Sequence, residues 1–241
     1  MKYTKIYNRE DGGKMTFHLF FEQSGTFKNE LKKMGYEAID YDRLNDFGQT
    51  DVVIDIFSEI EKSYAGGGSI FDEIGEDDMI IAFFPCVRFE DQIIMNLRGD
   101  HFAGKRWDDQ KRIEYSMKLH SDLAHMYQLI SKLAIVCIKK KIALVIENPY
   151  SSQHYLTRYW PLKPAIIDYD RRRDGDWYKK PTQYWFINCK PKNNMLFEPI
   201  EFVEEKVIEN IKNQVQRSMI HPQYANRFLR QYILPERNQY D

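Results

Sequence analysis

The stretch Asp78-Met-Ile-Ile-Ala-Phe-Phe-Pro-Cys-Val-Arg88 decides how the rest of the chain is read. Met79 to Phe84 is an unbroken apolar run, short for a helix and rich in Ile and Phe, which is the pattern of a fully buried strand. Pro85 has no N–H to give a sheet ladder and ends the strand. Cys86 therefore falls just past the carboxyl end of a central strand, the edge at which open α/β sheets bind ligands.

Working outward toward the amino terminus, Val52 to Ile54 reads as a strand ending at Asp55, and Tyr36 to Tyr41 as a strand ending beside Asp40 and Asp42. Thr16 to Phe21 is a further short strand, followed by the turn Glu22-Gln-Ser-Gly-Thr26. Phe27, Leu31 and Met34 have helical spacing, and Gly35 stops that helix where glycine commonly does. Strand, turn, helix, strand and acid in that order open a nucleotide fold of the dinucleotide or methyl-donor type. A helical piece follows Asp55 and leads to Gly66-Gly-Gly-Ser69, a surface loop without the Lys-Ser/Thr that a phosphate cradle needs.

Toward the carboxyl terminus, a polar, aromatic-dotted segment runs to Trp107, and Asp108 to Lys141 predicts a long helix. Its apolar positions, among them Ile113, Met117, Leu123, Leu129, Leu133 and Cys137, fall mainly three and four apart. His120 and His125 are five apart, which does not place two metal ligands on one face. Ile142 to Ile146 predicts a strand running into Glu147-Asn-Pro149, then a short helix over Ser151 to Tyr159 capped by Ser151 or Ser152. Two strands are expected at Ala165 to Tyr169 and Gln183 to Asn188, with a basic loop between them. Helical spacing then runs from Pro199 through Phe202, Val207, Ile208, Ile211 and Val215, and again over Tyr224, Phe228 and Tyr232.

The 241 residues, 43% hydrophobic and 29% charged, suit one α/β domain over 1–241, with 1–14 a loose lead-in and helices over 200–234. A net charge of -1 excludes a global basic field, so a nucleic-acid partner must be held by a local patch. Three cysteines without paired spacing argue for a reducing compartment, and no apolar run approaches the roughly 18 residues of a membrane span. A cytoplasmic protein with no metal and no membrane partner is the expectation.

Gly25, Asp42 with Asp55, Cys86 and Glu147 all sit at strand carboxyl ends, which a parallel sheet brings to one rim. With these residues in place the chain resembles the cytosine carbon-5 DNA methyltransferases, in particular their compact phage and prophage forms, over about residues 16–233. Leu19-Phe-Phe-Glu-Gln-Ser-Gly-Thr26 and Lys33-Met-Gly-Tyr-Glu-Ala-Ile-Asp-Tyr-Asp42 are similar to the methyl-donor loop and ribose acid, and Asp51-Val-Val-Ile-Asp-Ile56 to the adenine contact. Phe84-Pro-Cys86 resembles the nucleophile loop and Ile146-Glu-Asn-Pro149 the Glu-Asn motif. Arg171-Arg-Arg-Asp-Gly-Asp-Trp-Tyr-Lys-Lys-Pro-Thr-Gln-Tyr-Trp185 resembles the basic Lys-Pro-Thr segment of the compact phage enzymes. Lys190 to Pro199 is too short for the recognition domain that larger members insert there.

The resemblance implies a Rossmann-like methyltransferase sheet with flanking helices, S-adenosyl-L-methionine as cofactor, and a phage protein working in the cytoplasm of a bacterial host. It implies donor contacts at Phe21, Gln23, Ser24, Gly25, Thr26, Asp42, Asp55, Ile56 and Pro85. It implies Cys86 as the nucleophile that adds to carbon 6 of cytosine and Glu147 as the acid at ring nitrogen 3. Acceptor contacts are expected at Arg88, Asn148, Arg158, Arg171, Arg172, Arg173, Lys179, Lys180 and Thr182. Tyr155, Tyr159, Trp160, Trp177 and Tyr178 are interleaved with them as stacking candidates. The acceptor is DNA, single strands included, with RNA, a free nucleotide, or a catalytically impaired binding protein on the same scaffold as alternatives.

Overall fold

The computed structural model describes residues 15–90, 93–101, 103–207 and 214–235. The lead-in at 1–14 and the helical positions Ile208 and Ile211 lie outside them. Five strands, β1 (Thr16–Phe20), β2 (Glu37–Asp42), β3 (Val52–Val53), β4 (Met79–Phe83) and β5 (Ala143–Pro149), pair in parallel. β6 (Ile166–Asp168) and β7 (Thr182–Ile187) complete a seven-stranded sheet of order β3-β2-β1-β4-β5-β7-β6. β7 runs antiparallel to both β5 and β6, so the sheet is mixed rather than wholly parallel. The strand order reverses between β1 and β4, which makes their carboxyl ends the switch point.

The unbroken apolar run of β4 is explained by two cores, one on each face. Ile80 and Ala82 pack on one side with Phe20, Leu144, Ile146 and Trp185; Met79 and Ile81 pack on the other with Phe17, Leu19, Val145 and Tyr184. Each buried Leu, Ile, Phe, Val or Met side chain among these contributes about 1.5–3 kcal/mol by leaving water. The first face is covered by α2 (Ile56–Tyr64) and α4 (Asp109–Lys140), the second by α1 (Thr26–Lys33) and α7 (Pro222–Phe228), which continues as a π-turn over Leu229–Ile233. Three short helices, α3 (Ile93–Leu97), α5 (Tyr155–Tyr159) and α6 (Gln214–Ser218), and 3-10 turns at Ile70–Asp72, Gly104–Arg106 and Arg171–Asp174 complete the described elements.

Four expectations change. The helix begun by Asp108, whose carboxylate accepts from the Lys111 N–H at 2.8 Å, buries side chains only from Leu119 onward. Ile113 and Met117 are exposed, because the first turns meet His101, Gly104 and Trp107 instead of the sheet. The strand expected to stop at Ile146 runs on to Pro149, since Glu147, Asn148 and Pro149 pair with Tyr184, Gln183 and Thr182. Ser151 caps no helix; its hydroxyl accepts from the Gln153 and His154 N–H groups, and α5 opens after His154. Residues 201–207 form no helix, and Phe202 stands 93% exposed. Among the described residues Phe202 and Val207 are not buried against an apolar surface, and short helices need one.

Among the described residues no helix is long and apolar enough to cross a membrane, and no group of three or more His, Cys, Asp or Glu side chains could hold a metal ion. All three cysteines are free, and Cys137 is buried in the core.

Candidate active site

At the switch point the carboxyl ends of β1, β2, β4 and β5 surround a cavity of about 330 Å³. Of the expected donor residues, Phe21, Gln23, Ser24, Asp42 and Pro85 line it; of the expected catalytic and acceptor residues, Cys86, Glu147, Arg171 and Lys180 do. β4 and β5 are in register at Phe83 and Glu147, so the chain leaving β4 carries Cys86 to the same rim as the carboxyl. Asn148 secures that relation: its amide donates to the Phe84 carbonyl at 2.7 Å, tying β5 to the turn that holds the cysteine.

The β1 turn is built around a backbone that only certain residues tolerate. Phe21 adopts a positive φ of 62°, and Gly25 one of 66° as the cap of α1. The positive φ favours glycine at position 25, and a Cβ there would also come within 3.2 Å of the Gln49 side chain, which would have to shift by a few tenths of an ångström. Thr26 opens α1 with its hydroxyl 3.0 Å from that of Ser24. Glu22, which the sequence reading treated only as part of the turn, is 5% exposed and lines the cavity. Its carboxyl accepts from the Phe27 and Lys28 N–H groups at 2.5 and 3.2 Å. Burial nevertheless pushes it up to about 8. The available signal was an acid placed just before a helix amino terminus.

The remaining expected residues lie elsewhere, for local reasons. Asp55 caps α2 by accepting from the Phe57 N–H, and Ile56 is buried in the core, so neither reaches the cavity. Arg88 is ion-paired with Asp122 of α4 at 2.9 Å. Thr182 donates to the Lys180 carbonyl, and Arg172 is ion-paired with Asp170 and Glu205. Arg158, Arg173 and Lys179 are exposed and do not line this cavity. Of the aromatic residues, Trp160 and Tyr178 are buried and unavailable for stacking, Tyr155 stacks on Phe89, and only Tyr159 is exposed. Leu44, Phe47 and the Ser218–Ile220 segment join the cavity wall without a signal in their local spacing.

Charge is distributed unevenly around the cavity. Glu147 is buried, and burial raises its carboxyl against the opposing pull of Lys180 and then Arg171. Asp42 is likewise raised by burial, although its Oδ1 accepts from the Leu44 N–H at 2.8 Å. Burial, followed by the neighbouring Glu90 carboxylate, pushes the Cys86 thiol up to about 12. Arg171 is fully buried, paired with Asp176 through Nε at 2.6 Å and through Nη2, and lies over the Tyr224 ring. The β1–β2 wall thus offers carboxyl and amide oxygens, and the wall leading into β7 offers two cations. Such a site can hold a cationic molecule against the first wall and an electron-rich or anionic one against the second. No protein-family model matches the chain, and no curated protein matches it.

Proposed function

We propose that the chain is an S-adenosyl-L-methionine-dependent methyltransferase that acts on carbon 5 of cytosine in DNA through a covalent Cys86 adduct. The observation that carries this reading is the shared cavity: Cys86 and Glu147 open into it opposite Gln23, Ser24 and Asp42. The donor fits the β1–β2 wall chemically. Asp42 provides an acceptor for ribose hydroxyls, Leu44 and Phe47 provide apolar surface for a purine, and a cationic neighbour would draw the buried, neutral Glu22 toward its ionised form. Bound there, S-adenosyl-L-methionine would supply an electrophilic methyl group.

The chain's own residues prepare the acceptor. The sulfur of Cys86 adds to carbon 6, and the carbon 5–carbon 6 electron pair moves into the ring toward nitrogen 3. Glu147, kept neutral by burial, gives its proton to nitrogen 3 and so removes the charge that addition creates. Lys180 and Arg171 favour the ionised form of Glu147 and stabilise the carboxylate left behind. Carbon 5 is thereby turned from a poor nucleophile into an enamine-like one. The reacting atoms are inaccessible in a stacked duplex, so the base must enter the cavity unstacked, with exposed Arg158, Arg173 and Lys179 available to phosphates.

Incubation with methyl-labelled donor and host or phage DNA should place label on cytosine carbon 5. Cys86→Ser should reduce it by at least about 10³-fold, the scale on which removing one member of a reacting unit acts. An absence of label on duplex DNA, single-stranded DNA, RNA and cytidine nucleotides alike would overturn the reading.

A further inference from the structure

Cys86 presents a problem that the cavity alone does not solve. A thiol pushed up to about 12 is thiolate in only about one molecule in 10⁵ at pH 7, yet the thiolate is the reactive form. Glu147 is the poorer acceptor, because burial favours its protonated form. Lys180 favours the thiolate but is outweighed by burial and by Glu90.

The sulfur already has one acceptor. Its S–H donates to Glu90 Oε1 at 3.0 Å, and Glu90 lies outside the cavity wall, so it holds the sulfur from behind while the cavity side stays open to an electrophile. The loop between them is fixed. The Phe89 N–H donates to the Cys86 carbonyl at 2.7 Å, and the Phe89 carbonyl accepts from the Tyr155 N–H at 2.8 Å. The Phe89 ring is fully buried against Phe84, His154 and Tyr155.

We propose that Glu90 is the proton acceptor for the Cys86 thiol, holding it as S–H in the resting protein and taking the proton as the sulfur attacks. The S–H bond breaks toward Glu90 Oε1, a sulfur lone pair forms the new carbon–sulfur bond, and the carboxylate becomes a neutral acid. Attack on cytosine rests on the methyltransferase reading; the proton transfer from sulfur to Glu90 does not.

The test therefore uses an uncharged electrophile. The rate of Cys86 alkylation by chloroacetamide is followed by peptide mass spectrometry from pH 5.5 to 10. A thiol whose proton passes to a neighbouring carboxylate reacts at a rate independent of pH across the neutral range, and this plateau is expected in the wild type. In Glu90→Gln the plateau should vanish. The rate should climb tenfold per pH unit, lie at least tenfold below wild type at pH 7, and overtake it at high pH because the neighbouring negative charge is gone. Parallel tenfold-per-unit slopes in the two proteins, or a faster Glu90→Gln at every pH, would overturn the proposal. Alkylation of buried Cys137 reports unfolding; should Glu90→Gln unfold, Glu90→Asp decides, a retained plateau supporting the proposal and a tenfold-per-unit slope sinking it. A wild-type plateau in a protein that methylates nothing would leave Glu90's role standing and remove the methyltransferase reading alone.

Discussion

In the parallel half of the sheet, β1, β2, β4 and β5 run toward the cavity and end there, each delivering the residues that follow its last ladder pair. The antiparallel half reaches the same place from the other direction. β7 begins at the cavity rim, with Thr182 opposite Pro149, so the segment that precedes it delivers Arg171 and Lys180. The parallel half contributes carboxyls and the thiol, all raised by burial; the antiparallel half contributes cations. Under the proposed methyltransferase reading, bond making falls to one half and charge stabilisation to the other.

The most severe break is expected in the parallel half. Glu147→Gln keeps the β5 ladder but removes the proton, and should lower methyl transfer by about 10²–10⁴-fold, measured as single-turnover label transfer with the melting temperature unchanged within a few degrees.

Glu22 sharpens the comparison through pH. Folded, its carboxyl titrates near 8 against an ordinary 4.5, so between those values the native state holds a proton that the unfolded state has lost. Its stabilising contribution is full below pH 4.5 and falls by up to roughly 5 kcal/mol as pH rises through 8. Glu22→Gln should flatten that part of the dependence, read from urea titrations at pH 5, 7 and 9. An unchanged slope would mean that Glu22 is ionised in the fold.

In the antiparallel half, Asp176→Ala should destabilise by about 3–5 kcal/mol, because it leaves the buried Arg171 guanidinium uncompensated. Chemical denaturation measures this directly, and a loss under 1 kcal/mol would show that water reaches Arg171. The smallest effect belongs to the surface. Arg158→Ala should leave stability within about 0.5 kcal/mol, while reducing the salt slope of DNA binding by about one if that side chain meets a phosphate.

The two halves were not equally legible in the chain. Cys86 could be placed because the apolar run and Pro85 are neighbours in sequence, and Glu147 because it follows a β-branched run of its own. Both inferences need only the local period and a stop signal. The basic segment was recognised as basic, but its members could not be sorted. Arg171 is buried against Asp176, Arg172 is tied to Asp170 and Glu205, and only Lys180 joins Arg171 at the cavity. Consecutive arginines carry no mark of which will be enclosed. Trp160 and Tyr178, interleaved with the cations like stacking residues, are instead core, where nonlocal packing overrides the local pattern.

The sequence by itself determined the helices α1, α2 and α4, the strands β1, β2, β4 and β5 as strands, and the presence of a thiol and a carboxyl at strand ends, because run length, spacing and turn residues act within a few positions. Only the tertiary structure decided that β7 runs backwards, that Glu22 is enclosed, and that Glu90 stands 3.0 Å behind the sulfur of Cys86. Strand direction, desolvation and the aim of a side chain depend on groups brought together from distant parts of the chain or on rotamers fixed by packing. Local periodicity carries no record of either.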